Sequence, residues 1–326
     1  MSTKADHLPL RYYTGSKLLE INEDKSEAII EDVLFENDYI MLVAPPKMGK
    51  TILSIQMACA LSSGTPFLNT FQVPKPQMVW YFATEGKDED IKDRFTRISK
   101  LTPLNPDNIV LICSSSFRFN THDGKSYLDY LFKHLENKLP KVIFVDALYR
   151  AIKGSLKDDK DVNEFHYIMG SFAEKCDAAT VLVHHLARPM KLQDGRVADQ
   201  TGEDAYGSRF LIASVDHCFS LERFKKDMDS RDRFLRCSAQ RSGKIIDDVR
   251  LKLIQPDPLG FTVVSSHSEE KKLMIKYLGT CDGANVDDIL RVTKLSRTVV
   301  YSVLKELQDE GKVSKEGKKM KVYRLI

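Results

Sequence analysis

Several things are scarce in this 326-residue chain, and each scarcity excludes something. Six cysteines, at positions 59, 113, 176, 218, 237 and 281, are scattered without a CxxC pair, so neither a zinc ribbon nor a disulfide framework is encoded. That usage fits a reducing, cytoplasmic setting. No apolar run approaches the ~20 residues that span a bilayer, and the opening MSTKADHLPLRYY lacks the apolar core of a signal peptide, so no membrane partner is expected. Net charge is only +3, too small to name nucleic acid as a partner on its own, so charge has to be read locally. Internal repeats and low-complexity tracts are absent as well.

What is present is a regular alternation. Short apolar runs at 39–44 (YIMLVA), 78–83 (MVWYFA), 108–114 (NIVLICS), 141–148 (KVIFVDAL) and 179–185 (ATVLVHH) are separated by helical spacing at 51–61, 88–100, 126–139 and 162–176. The runs do not alternate apolar with polar, which predicts a mostly parallel sheet covered by helices on both faces. Segments FLIASVDHCFSLER, DRFLRCSAQR, VRLKLIQ and GFTVVSS are closely spaced strand candidates and suggest an antiparallel extension. Near Ser265 the composition turns polar, which divides the chain into a core at 1–264, with residues 1–38 as its lead-in, and a small C-terminal domain at 268–326.

Between the first strand and helix lies Ala44-Pro45-Pro46-Lys47-Met48-Gly49-Lys50-Thr51, a near match to GxxxxGK[ST]. In that motif backbone N–H groups and a helix N-terminus surround phosphates, the lysine reaches the outer phosphates, and the hydroxyl holds magnesium. Ala44 replaces the first glycine, which is tolerable if the loop entry needs no positive φ. These eight residues are the expected ATP-binding loop. Asp146, ending VIFVD, is the expected second magnesium ligand with Thr51, unless it only caps the next segment. Glu85, just past WYFAT, could orient or deprotonate the attacking water; otherwise it is a surface glutamate.

Together these stretches resemble the RecA-like ATPases, specifically the plasmid-type and DnaB-like replicative helicases, over roughly residues 25–260. The resemblance implies a catalytic role for Glu85 alongside Lys50, and the magnesium role for Asp146. TVLVHHLARP is similar to a strand ending in a histidine pair, which implies that His185 or His184 senses the γ-phosphate; the plain alternative is a packed, hydrogen-bonded pair. CSAQRSGK resembles the late strand with an arginine finger, which places that role on Arg241, although Ala239 stands where many relatives have lysine. A finger works only when a neighbouring subunit supplies it, so a homo-oligomer is implied, a hexameric ring first. Nucleic-acid loops of the family correspond to residues 187–208, with Arg188, Lys191 and Arg196 as phosphate contacts, although four acidic residues share that stretch.

The tail from Asn285 to Ile326 holds ten Lys or Arg against six Asp or Glu. It reads as helix, turn, helix and then a basic hairpin, which resembles a winged helix. Ser296 would cap the second helix. Arg297 and Thr298 on that helix, with Lys318 and Lys319 in the hairpin, would contact DNA; protein docking is the alternative. The resulting expectation is a DNA-dependent ATPase with ATP and Mg2+ as cofactors, a compact ring-forming replicative helicase of a plasmid, virus or mobile element. It would act on single-stranded DNA first and duplex DNA second. The alternative is an ATP-gated DNA-binding regulator or recombination mediator without unwinding.

Overall fold

Strands that are apolar on both faces need cover on both faces, and the chain supplies it. The computed structural model describes residues 14–20, 27–186, 206–208, 210–223, 231–240, 248–264, 268–295, 297–309, 311–317 and 322–325. A short helix α1 (Gly15–Glu20) precedes a small hairpin, β1 (Ala28–Ile30) and β2 (Leu34–Phe35), which buries Ile29, Ile30, Val33 and Leu34. Then come β3 (Tyr39–Ala44), α2 (Lys50–Ser63), β4 (Val79–Ala83), α3 (Asp88–Ile98), β5 (Ile109–Cys113) and α4 (His122–His134). These are followed by β6 (Val142–Asp146), α5 (Leu148–Ala151), α6 (Asp159–Cys176), β7 (Ala179–His185) and α7 (Phe210–Ala213). Finally β8 (His217–Arg223), β9 (Asp232–Gln240), β10 (Val249–Ile254) and β11 (Gly260–Val263) complete a nine-stranded sheet of order β11-β10-β9-β8-β3-β7-β6-β4-β5.

Period-two geometry sorts the side chains into two cores. Ile40, Leu42 and Ala44 of β3, Val79, Tyr81 and Ala83 of β4, and Val142 and Phe144 of β6 pack on one face with α2 and α3. Met41, Val43, Trp80, Phe82, Ile143 and Val145 pack on the other with α4, α5 and α6. Helix α2 is buried nearly all round because β11 also closes over it: Gln56 donates from Nε2 to the Phe261 carbonyl at 2.9 Å and accepts the Phe261 N–H at 2.7 Å. That amide replaces a strand partner for an edge, where each buried unmet group would cost about 1–3 kcal/mol.

Three boundaries differ from the sequence reading. Helix α4 starts at His122 because Thr121 caps it, accepting the Gly124 N–H at 2.9 Å; a polar first turn carries no apolar spacing to reveal it. FLIA, read as strand, is the helix α7. Strand β8 pairs in parallel with β3, so the antiparallel extension begins with β9, one strand later. Gly170 lies mid-α6, where glycine costs about 1 kcal/mol relative to alanine.

Residues 268–325 contribute α8 (Ser268–Leu278), α9 (Val286–Thr293), α10 (Arg297–Asp309) and an antiparallel pair, β12 (Val313–Glu316) with β13 (Val322–Leu325). They have their own apolar cluster, including Met274, Leu278, Ile289, Val300, Val303, Leu304 and Leu307. Ser296, the expected cap of α10, lies outside the described residues; α9 is capped by Asn285, which accepts the Asp288 N–H at 2.9 Å. No described helix is long and apolar enough to cross a membrane.

Candidate nucleotide site

The C-terminal ends of β3, β4, β6 and β7 converge on a cleft of about 720 Å³, the edge where parallel sheets place ligands. Its wall is laid down by the turn from β3 into α2. Lys47 and Gly49 there have left-handed φ of 63° and 102°. Gly49 is also pressed from outside: a Cβ would lie 2.7 Å from Phe261 Cζ, so only glycine fits. Ala44 ends strand β3 in extended conformation, so the glycine of the motif is not needed there. Its carbonyl takes the Leu186 N–H at 3.2 Å and the Lys50 ammonium at 2.9 Å.

Lys50 is buried, with its ammonium also donating to the Pro45 carbonyl at 3.1 Å and to His185 Nδ1 at 3.0 Å. Burial lowers its pKa to about 8, against the pull of Asp146 and Glu85. Asp146 is buried too. It accepts the Tyr81 hydroxyl at 2.6 Å and a bond from Thr51, while Ser54 Oγ lies 2.8 Å from the Tyr81 oxygen. Burial raises the Asp146 pKa and these donors oppose it. Glu85, half-buried one residue beyond Thr84, is raised by burial and by Asp146, and lowered by Arg150, Lys50 and Arg94. The Asp146–Ala147 peptide is cis.

Thus Lys47, Gly49, Lys50, Thr51, Glu85, Asp146 and His185 share one cleft, whereas Ala44, Pro45, Pro46 and Met48 shape the loop from behind it. The histidines divide. His185 reaches Lys50; His184 is buried on the opposite side of the strand, with Nε2 2.6 Å from the Tyr206 carbonyl. Burial holds both near pKa 4, so both rings are neutral at pH 7. Arg241, Arg188, Lys191, Arg196, Lys318 and Lys319 lie outside the described residues. Arg297 is exposed on α10, 2.6 Å from Asp287, and Thr298 follows it in the same helix.

The sequence reading missed several supports. Tyr81 sits in a buried strand, where a phenol needs a partner, and that alone could have pointed to Asp146. Arg94 of α3 lines the cleft, and Arg233 of β9 donates to the Met48 carbonyl at 3.1 Å, bracing the loop from a strand 185 residues away. No local pattern announces that contact.

A phosphate-gripping loop on a parallel sheet, with a buried carboxylate on a neighbouring strand, defines a P-loop NTPase with a RecA-like α/β fold. A family model described as "AAA domain" matches residues 18–190, and the chain belongs to that family. It is an ATPase. Among solved structures, one of an isolated ATPase domain is similar with TM-score 0.52 at 15% identity, covering 71% of this chain and 86% of that one. A structure of a DnaB-like replicative helicase and its interactions with primase gives TM-score 0.52 at 16% identity, over 70% of this chain and 59% of that one. At such identities the likeness is one of fold. No curated protein matches the sequence.

Proposed function

We propose that this ATPase is a nucleic-acid motor of the ring-forming helicase type, in which ATP turnover at the Lys50–Asp146 cleft is communicated to residues 187–208. One observation carries the reading. Strand β7 ends in a side chain that bonds Lys50 and a backbone that bonds the far end of that segment: the Tyr206 N–H donates to the His185 carbonyl at 2.9 Å, and His184 clamps the Tyr206 carbonyl. A change at Lys50 and a change at residue 206 therefore share two consecutive residues. The basic residues Arg188, Lys191 and Arg196 belong to the segment so tethered. Fold likeness to a solved ATPase domain and to a DnaB-like replicative helicase supports the same reading.

Chemically, the site suits attack of water on the γ-phosphorus. Glu85 takes the water proton as the new P–O bond forms, and the bond to the β–γ bridging oxygen breaks to release ADP. Lys50 balances charge on the outer phosphates, and the Gly49–Thr51 backbone at the α2 N-terminus faces them. Asp146 and Thr51 offer only hard oxygen donors, which fits Mg2+ held by one carboxylate, one hydroxyl and substrate phosphates. That ion would neutralise charge on the β and γ oxygens. Tyr81 and Ser54 hold Asp146 in place. Arg241, delivered by a second copy, would complete the charge stabilisation, which makes the active form a homo-oligomer, a hexamer first. The C-terminal unit is assigned as a winged helix, with Arg297, Tyr301 and Lys305 on the exposed face of α10 toward DNA.

Phosphate beside Lys50 favours its charged form. At pH 8–9, where the free lysine with pKa about 8 is substantially neutral, MgATP binding is expected to take up a proton. Calorimetry in two buffers of different ionisation enthalpy reads this directly; equal heats would remove Lys50 from the phosphate site. The functional reading is tested by phosphate release with and without single-stranded DNA, alongside mass in solution. Stimulation of tenfold or more in a hexamer supports the motor. A monomer with unstimulated hydrolysis contradicts it. A forked duplex then separates unwinding from the alternative, an ATP-gated DNA-binding regulator, which Ala239 beside the finger position favours.

A further inference from the structure

A second cavity, of about 630 Å³, opens at the other end of the same strands, where β3 and β7 begin and α6 passes over them. The length of β3, about 17 Å, separates it from the nucleotide cleft. Its inner wall carries two polar atoms that are buried without a hydrogen-bond partner. These are His166 Nε2 and the hydroxyl of Thr180, a residue with 0% exposure. His166 Nδ1 is engaged by the Tyr39 hydroxyl at 2.8 Å, which fixes the ring and leaves Nε2 for something else. Burial holds this histidine near pKa 4, so the ring is neutral and can accept.

Charge around the cavity has one sign. Asp38, Glu174 and Asp177 line it, and among the described residues no lysine or arginine does. Asp177 is already paired with Lys141 at 2.6 Å. Asp38, raised by burial to about 6, still carries its charge at pH 7. It lies 3.6 Å from His217 Nε2, a ring that burial holds below the ordinary histidine range, so that neighbour supplies no positive charge. The space is also kept open at a cost. A Cβ at Gly170 would meet no atom within 4 Å, although mid-helix glycine is unfavourable, and its neighbours along the wall are small. Ordinary packing would fill such a gap with a side chain.

We propose that this cavity binds a small amine-bearing cation, its ammonium groups taken by Asp38 and Glu174 and by the inward acceptors His166 Nε2 and Thr180 Oγ1. A cavity of this volume is of small-ligand size, and a few convergent polar atoms in an otherwise small-residue wall are how such sites select. The site is separate from the nucleotide cleft and does not depend on the nucleic-acid reading.

The test is calorimetric titration of the full chain with 1,4-diaminobutane, and with the uncharged 1,4-butanediol at matched ionic strength. A saturable 1:1 heat from the diamine and none from the diol is expected. Gly170→Leu, which fills the cavity from a position that tolerates a side chain, should lower affinity at least tenfold with basal ATP hydrolysis unchanged. Asp38→Asn should lower it at least threefold, and serves if the leucine variant does not fold. No saturable heat from the native chain means the cavity holds water only and overturns the proposal. So does equal binding of the diol, or undiminished affinity in a folded variant.

Discussion

Lys50→Ala is expected to lower kcat/KM for ATP by at least about a hundredfold, the scale of losing one preorganised charge-stabilising group, and to weaken MgATP binding in parallel. The fold should survive. The ammonium's partners are two loop carbonyls and one imidazole, and the Ala44 carbonyl keeps the Leu186 N–H. Removing the group also removes the desolvation that lowers its pKa to about 8. Thermal unfolding and phosphate release on the same sample separate these effects. A well-folded variant with normal turnover would mean that Lys50 holds structure, not phosphate.

Glu85→Gln should behave differently. The amide keeps the shape but cannot take a proton, so kcat should fall about 10²- to 10⁴-fold while MgATP still binds. Binding is expected to tighten, because one of two neighbouring carboxylates has lost its charge. The pH profile gives the sign. The Glu85 pKa is raised by burial and Asp146, so activity that needs its carboxylate is complete above that raised value. It is lost as pH falls through it, at higher pH than for an ordinary glutamate. On the alkaline side kcat/KM should fall above about 8, as Lys50 loses its proton. Single-turnover phosphate release across pH checks both limbs. An acid limb that persists unchanged in the glutamine variant assigns the base elsewhere.

Much of this was legible in the sequence because it is written locally. The apolar runs at 39–44, 141–148 and 179–185 marked central strands, since burial on both faces leaves no polar position to confuse the period. Gly49-Lys50-Thr51 announced itself because the strand–loop–helix context is continuous in the chain. Asp146 and Glu85 followed from their places at strand ends. What stayed hidden depends on contacts between distant segments. Gln56 binding an edge strand 205 residues later, and Arg233 gripping Met48, leave no periodic trace. The parallel pairing of β8 with β3 was hidden for the same reason: its sequence fits either direction, and the long connection from β7 decides it. The amphipathic stripe of α10 was legible, and Val300, Val303, Leu304 and Leu307 are all buried.

The central claim is that one triphosphate is held between Lys50 and Asp146. A crystal structure of the chain with Mg2+ and a non-hydrolysable ATP analogue tests it most directly. The account predicts phosphate oxygens within hydrogen-bond distance of Lys50 Nζ, and the ion beside Thr51 and Asp146 with Glu85 facing the γ-phosphate. Density for the nucleotide elsewhere, or none in that cleft at saturating analogue, would contradict it.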